Sequence, residues 1–331
     1  MHGALTKATK EWPSIYFRTS IPEQYRNYLA TKSKLAIFEP WHIGEKEPIP
    51  SVDLSQCEVV FTLGLIDDLS ILDLAPNVRW VQSVSVGLDA LLNERTIQQD
   101  LMITNTKGCT SVPIAEHTLA MMLGFSKNIP ALITNQQTNV WGKVPVNDLA
   151  QANVCIIGYG QIGYEIAKRC KAFGMNITGC RRHPTVVSDN YADTIVGMDQ
   201  VDDVLTEADY VVLALPATAE TDNFLNADRI KKIKQGAVVI NVGRGNAVVE
   251  ADLVDALIDG HIRGAALDVF QVEPLPKTHP FWNMEQVIVS AHQAYFSNQN
   301  MDRIMNLFAK NMERYLTGQP LINQINKQKG Y

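Results

Sequence analysis

No stretch of this sequence approaches the run of ~18 uncharged apolar residues that marks a membrane-spanning helix. The opening segment, MHGALTKATKEWPSIYF, lacks the apolar core of a secretory signal. Cysteine is sparse: Cys57, Cys109, Cys155, Cys170 and Cys180 are scattered, odd in number and without a CxxC pair, which argues against a disulfide frame or a zinc site. Positive charge is not in excess either. Against 29 Lys and Arg stand 35 Asp and Glu, and the net charge of -6 argues against general affinity for nucleic acid or an anionic membrane surface. Low-complexity tracts, charge blocks and internal repeats are missing. These absences leave the expectation of a cytoplasmic globular protein with reduced, mostly buried thiols.

What is present is a βαβ rhythm. The chain has 331 residues, too many for one ordinary core, so two domains are expected. KLAIFEP, EVVFTLGL, VRWVQSVS and LMITNTKG read as strands between residues 34 and 108; NVCIIG, NITGC, YVVLALP, GAVVINVG and VIVSAH follow from 153 to 292. Amphipathic stretches separate them, the pattern of parallel sheets flanked by helices. SVPIAEHTLAMMLGFSKNIPALITNQQTNVW reads as helix from Pro113, capped by Thr110 or Ser111 and restarting at Pro130. NQNMDRIMNLFAKNMERYL reads as an amphipathic helix that packs back on the first domain.

The strongest local signal is VCIIGYGQIGYEIAKRC, where a strand runs into Gly158, Gly160 and Gly163 and then into a helix. That context makes a weak glycine pattern a dinucleotide fingerprint. Gly158 permits the tight turn, Gly160 lets backbone approach a pyrophosphate, and Gly163 lets helix and strand pack; the helix start at Gln161 and Ile162 offers N–H groups to the phosphates. About 20 residues past the fingerprint, an acidic side chain ordinarily binds the adenine ribose. Here ITGCRRHP supplies Arg181 and Arg182 instead. Guanidiniums suit a 2′-phosphate, so NADP(H) is expected to be preferred, with NAD(H) as the second cofactor. The bland alternative is two solvated loop charges.

Three further segments carry reactive side chains beside strand ends: INVGRGNAVVEADL, GAALDVFQVEPLP and VIVSAHQAYFS. With WVQSVSVGLDAL, TNTKGCTSVPIAEHTLAMML, GYGQIG and LPATAET, in this order from about Val78 to Leu316, the chain closely resembles the D-2-hydroxyacid dehydrogenase family. The first 75 residues match that pattern much less well. The resemblance implies two Rossmann-like, flavodoxin-like doubly wound α/β domains with a cleft between them. Residues 1–103 and 298–331 would form the substrate domain and 104–297 the dinucleotide domain. It also implies a homodimer through the helices from Pro113 to Trp141.

The chemistry of the same residues is that of 2-oxo acid reduction, which needs a proton for the developing alkoxide and a fixed cation for the carboxylate. His292 suits the proton donor. Glu273 can orient its ring and favour the imidazolium, and Arg244 can bind the carboxylate. By resemblance these are the family's catalytic trio. The resemblance also implies roles for Val86 and Gly87, matching a loop whose amides bind the substrate carboxylate; Asp268, matching a residue that meets the nicotinamide carboxamide; Pro216 and Thr221, flanking the cofactor; and Val242, offering it backbone contacts. His117 reads as structural. His2, His42, His183, His261 and His279 show no ligand spacing, so no metal is implied.

HQAYFS is similar to the D-lactate dehydrogenase branch of the family, whereas Arg181 and WVQSVSVGLDAL are similar to its NADPH-linked glyoxylate/hydroxypyruvate reductases. The substrate is therefore a small 2-oxo or 2-hydroxy acid, its identity set by apolar residues around Trp41, Leu63 and Leu65. The alternative function is a non-catalytic, dinucleotide-sensing interaction protein resembling the corepressors that share this fold.

Overall fold

The computed structural model describes residues 11–41, 50–88, 90–184 and 186–328; His2 and His42 lie outside them. The strands are β1 (Ser14–Phe17), β2 (Ala36–Phe38), β3 (Cys57–Thr62), β4 (Trp80–Ser83), β5 (Met102–Thr104), β6 (Asn153–Ile157), β7 (Asn176–Cys180), β8 (Thr194–Val196), β9 (Tyr210–Leu213), β10 (Ala237–Asn241), β11 (Ile262–Leu267) and β12 (Val287–Val289). The helices are α1 (Glu23–Lys32), α2 (Glu94–Gln98), α3 (Ser111–Ser126), α4 (Ile129–Gln137), α5 (Gln161–Ala172), α6 (Val201–Leu205), α7 (Ala227–Ile230), α8 (Glu250–Ile258) and α9 (Asn300–Leu316). Two α/β units with parallel sheets result, as the alternating pattern predicts.

One unit runs to Cys109 and resumes at Asn298. Its five strands lie in the order β2-β1-β3-β4-β5. The other unit, Thr110 to Ser297, carries seven strands in the order β12-β11-β10-β9-β6-β7-β8. The first unit extends to Cys109, past residue 103 where the sequence reading divides the chain, because Asn105 and Thr106 bond back to the loop after β4: Asn105 Nδ2 donates to Val86 O at 2.9 Å and Thr106 Oγ1 to Val84 O at 2.9 Å.

In the first unit, α9 contributes Ile304, Met305, Phe308 and Met312 to a core shared with Trp12, Phe17, Phe61 and Trp80. These α9 positions recur at helical spacing, so one apolar stripe faces the sheet. The Phe308 ring lies 5.0 Å from Phe61 and 5.3 Å from Trp80; burying such a side chain contributes about 2–3 kcal/mol.

In the second unit, α3 shares a core with α5 and β6: Ile114, Ala115 and Met122 pack with Val154, Ile156, Ile166 and Ala167. Thr110 stands at the N-cap of α3, yet its side chain makes no capping bond. The next helix restarts with Pro130 in its first turn and stops at Gln137, so Trp141 lies beyond it, outside helix and strand. The five cysteines are free, buried thiols. Among the described residues no helix is long and apolar enough to cross a membrane.

Strands β1, β8 and β11 are additions to the sequence reading. Thr194–Val196 is three residues long, and Ile262–Leu267 reads IRGAAL, whose alanines and glycine carry little β propensity. That strand is held by its place between β10 and β12.

Candidate active site

In the seven-stranded parallel sheet the strand order reverses between β9 and β6, a topological switch point of the kind where open α/β sheets bind ligands beyond their strand ends. The fingerprint turn follows β6. Gly158 has φ +99°, and a Cβ there would stand 2.4 Å from Ala214 O. At Gly163 a Cβ would stand 2.7 Å from Gly158 O. Both glycines are thus required by the protein's own packing. Gly160 is different: a Cβ there would meet nothing within 4 Å. The space over Gly160 and the first turn of α5 suits a pyrophosphate, so these residues fit a dinucleotide. Tyr164 N donates to Gly160 O at 2.9 Å; Gln161 and Ile162 precede this bond, in the turn whose N–H groups an α-helix leaves unsatisfied.

After β7, Arg181 is half-buried and Arg182 exposed. Arg182 pairs at 2.5 Å with Glu220, in the loop after β9. Arg181 lies in the field of Asp189. Burial pushes the Asp189 carboxyl up, but the Tyr191 and Ala192 amides, the Tyr159 hydroxyl and the Arg181 charge outweigh it and hold it below the usual range. Tyr159, the residue between the first two fingerprint glycines, lies over Gly179, where a Cβ would come 2.5 Å from its ring. Tyr159, Asp189 and Glu220 escaped the sequence reading because their partners are distant in the chain.

In the loop after β9, Thr221 is buried and donates from Oγ1 to Pro216 O at 2.6 Å, while Thr218 N donates to it at 2.9 Å. Its hydroxyl therefore shapes the loop, and Pro216 is exposed on it. Val242 N is committed to Leu213 O at 3.0 Å, which leaves only its carbonyl for a ligand.

The trio comes from three successive strand ends. Arg244 follows β10 between two glycines whose need is steric: a Cβ at Gly243 would lie 2.7 Å from Leu215 N, and one at Gly245 2.0 Å from Phe270 O. Asn241 braces the turn, donating from Nδ2 to Arg244 O at 3.0 Å and accepting from Gly243 N at 3.1 Å. Glu273, beyond β11, accepts the Phe270 N–H at 2.9 Å on one oxygen, and its other oxygen lies 2.7 Å from His292 Nδ1. His292, beyond β12, has φ +49°, a left-handed conformation costly for a non-glycine residue.

Asp268 holds it there. The Asp268 carbonyl accepts from His292 N at 2.8 Å. Its buried carboxylate accepts from Ser290 Oγ at 2.6 Å and from the Gln293 and Ala294 amides at 2.9 Å. His117 Nε2 lies 3.1 Å from Ser290 Oγ; burial lowers its pKa, against the pull of Asp268. With the Ser290 proton on Asp268, a neutral His117 donates from Nε2.

The bond to Glu273 raises the His292 pKa, outweighing the opposing effects of burial and the nearby Arg244 charge. For Glu273 burial acts upward, but the bonds from His292 and Phe270 and the charge of Arg244 win, and its carboxyl is held below the usual range. An imidazolium–carboxylate pair within the field of a guanidinium is suited to delivering a proton beside a bound anion.

In the other unit, Val86 and Gly87 follow β4. Both carbonyls are bonded, to Asn105 Nδ2 and Ser85 Oγ, and neither N–H donates to a described residue. The half-buried Trp41 ring lies under the Arg18 guanidinium, 5.1 Å from its centroid. Leu63 is half-buried and Leu65 exposed beyond β3.

The model of the D-isomer specific 2-hydroxyacid dehydrogenase NAD binding domain matches residues 119–294, more than half of the chain. The chain is 28% identical over 328 residues to a glyoxylate reductase of Thermofilum pendens, covering 96% of this chain and 95% of that one. It is 29% identical over 259 residues to a D-3-phosphoglycerate dehydrogenase of Methanocaldococcus jannaschii, covering 77% of this chain and 49% of that protein, about half its length. A solved D-isomer specific 2-hydroxyacid dehydrogenase from Xanthobacter autotrophicus Py2, in complex with NADPH and MES, is similar with a TM-score of 0.82 and 26% identity, covering 97% of this chain and 100% of the other. With a fingerprint turn that fits a dinucleotide and an Arg, Glu and His at neighbouring strand ends, this chain belongs to the D-isomer specific 2-hydroxyacid dehydrogenase family of NAD(P)-dependent oxidoreductases.

Proposed function

We propose that this protein reduces a small 2-oxo acid to the D-2-hydroxy acid, with NADPH preferred over NADH. The observation that carries the reading is the 2.7 Å His292–Glu273 bond, with the His292 pKa raised and Arg244 close enough to act on both partners. Nδ1 is engaged by Glu273, so Nε2 is the atom from which His292 gives its proton. The N–H bond there breaks as the new O–H forms on the ketone oxygen, leaving a neutral imidazole. Arg244 binds the substrate carboxylate and stabilises charge on the reacting oxygen. When bound, the dihydronicotinamide supplies the hydride to the carbonyl carbon. Gly158, Gly160, Gln161, Ile162 and Gly163 would hold its pyrophosphate, and Arg181 and Arg182 its 2′-phosphate.

Support for the cofactor choice comes from the two arginines after β7 and from the NADPH in the Xanthobacter relative. Assays of glyoxylate, hydroxypyruvate, pyruvate, phenylpyruvate and branched-chain 2-oxo acids with both cofactors test the reading. His292→Ala should lower turnover by about 10²–10⁴-fold with cofactor binding retained; unchanged turnover overturns the role. Preference for NADPH should disappear in Arg181→Ala/Arg182→Ala, and a wild-type preference for NADH would overturn the cofactor choice. We also infer a homodimer: α4 and the chain after it expose Leu132, Ile133, Val140 and Trp141, an apolar face of the kind that marks interfaces. Light scattering at the mass of a monomer would refute it.

A further inference from the structure

We propose that Asn105 and Ser83 are positioning residues that turn the Gly87 and Val86 N–H groups toward the substrate carboxylate. The inference rests on the reductase reading and concerns what makes the loop after β4 an anion receptor.

A trans peptide is planar, so its N–H and C=O point in opposite directions. Whatever fixes the carbonyl of one residue therefore aims the amide of the next. Asn105 Nδ2 donates to Val86 O at 2.9 Å, which sets the Gly87 N–H. Ser83 Oγ donates to Ser85 O at 3.0 Å, and Thr106 N reaches the same oxygen at 3.4 Å, which sets the Val86 N–H. Neither amide has an acceptor among the described residues, and both residues are only half-buried.

The surrounding bonds keep this arrangement from relaxing. Ser83 Oγ also accepts from Ser85 N at 3.0 Å. Ser85 Oγ donates to Gly87 O at 2.8 Å and accepts from Gly64 N at 3.1 Å. Gly64 must be a glycine for the loop to lie so close: a Cβ there would come 2.6 Å from Ser83 Oγ and 2.9 Å from Gly87 O. Asn105 is itself buried, and its Oδ1 accepts from Lys107 N at 3.1 Å. Its amide orientation is thereby fixed, with Oδ1 on Lys107 and Nδ2 on Val86. Two N–H groups with no acceptor among the described residues, on a braced backbone, suit a carboxylate.

Asn105→Asp is the sharpest variant, because it keeps the shape and the Lys107 bond but cannot donate to Val86 O. Ser83→Ala releases the other amide and guards against a folding failure in the first. Each variant should raise the KM for the 2-oxo acid about tenfold, with kcat changed by less than about twofold, since the lost contact is made equally before and during reaction. NADPH affinity, read by fluorescence, should not move. Calorimetry with oxalate, on protein saturated with NADP⁺, should show the same tenfold loss. Oxalate affinity and KM within about twofold of wild type in both variants would overturn the proposal. Wild-type protein that binds oxalate, loses it in the variants and reduces no 2-oxo acid would sink the reductase reading alone; wild-type protein that neither binds oxalate nor reduces would sink both.

Discussion

His292 and Glu273 form a closed unit: Nδ1 lies 2.7 Å from one carboxylate oxygen while the Phe270 amide donates to the other at 2.9 Å. Because the carboxylate is held from both sides, its charge is fixed where it favours the imidazolium. His292 accordingly keeps its proton to higher pH than a free imidazole.

The pH profile follows from that sign. Reduction needs protonated His292, so kcat/KM for reduction should be flat at low pH and fall as pH rises through the raised pKa. Oxidation of the 2-hydroxy acid should show the opposite limb. In Glu273→Gln the reduction limb should move down toward the ordinary value of about 6.5, so that activity at pH 8 suffers more than activity at pH 6. Parallel profiles for wild type and variant would show that Glu273 does not tune His292.

The fingerprint glycines should separate folding from binding. In Gly160→Ala the new methyl meets no protein atom, so the Tm of the cofactor-free protein should stay within about 2 °C while NADPH affinity drops at least about tenfold. In Gly163→Ala the methyl would press on Gly158 O at 2.7 Å, and the protein itself should lose about 1–3 kcal/mol. Thermal melts and cofactor titrations on the two variants check this, and equal destabilisation would refute the distinction.

By the family resemblance Asp268 is a nicotinamide contact; its carboxylate also accepts three donors from residues 290 to 294, and the prediction that follows from these bonds is a positioning role toward His292. Asp268→Asn should lower kcat about 10–100-fold and shift the reduction limb to lower pH, because it loosens the left-handed turn and removes a charge that favours the imidazolium. NADPH affinity measured without substrate should change by less than about threefold; a larger loss of cofactor binding with an unshifted pH limb would favour the nicotinamide contact.

Those two readings of Asp268 show what the sequence can carry. The fingerprint, Arg244, Glu273 and His292 stand out in the sequence because each sits where a β-branched run gives way to glycine, proline or a lone polar residue, and their order is informative. Strand β11 was obscured by Gly264, Ala265 and Ala266, whose small side chains are explained only by the neighbours that pack on them: a Cβ at Gly264 would come 2.5 Å from Phe125. Asn105 and Asp189 were invisible as site residues, since their roles depend on Val86 and Arg181, far off in sequence or turned back by a loop. Thr221 was found by motif, but the bond from its hydroxyl to Pro216 O shows that it supports the loop.

The last prediction concerns Glu220. Its 2.5 Å pair with Arg182 joins the loops after β7 and β9, on either side of the fingerprint strand. Both side chains are well exposed, so the pair is weak, and its effect on the cofactor is a matter of competition: a carboxylate on Arg182 occupies the guanidinium that a 2′-phosphate would take. Glu220→Gln keeps the size and removes the charge. The KM for NADPH should fall about two- to fivefold while that for NADH stays within twofold, and raising the salt concentration should shrink the difference. Combining it with Arg182→Ala should abolish the gain, because Glu220 acts only through that arginine; a gain that survives in the double variant would place its origin elsewhere.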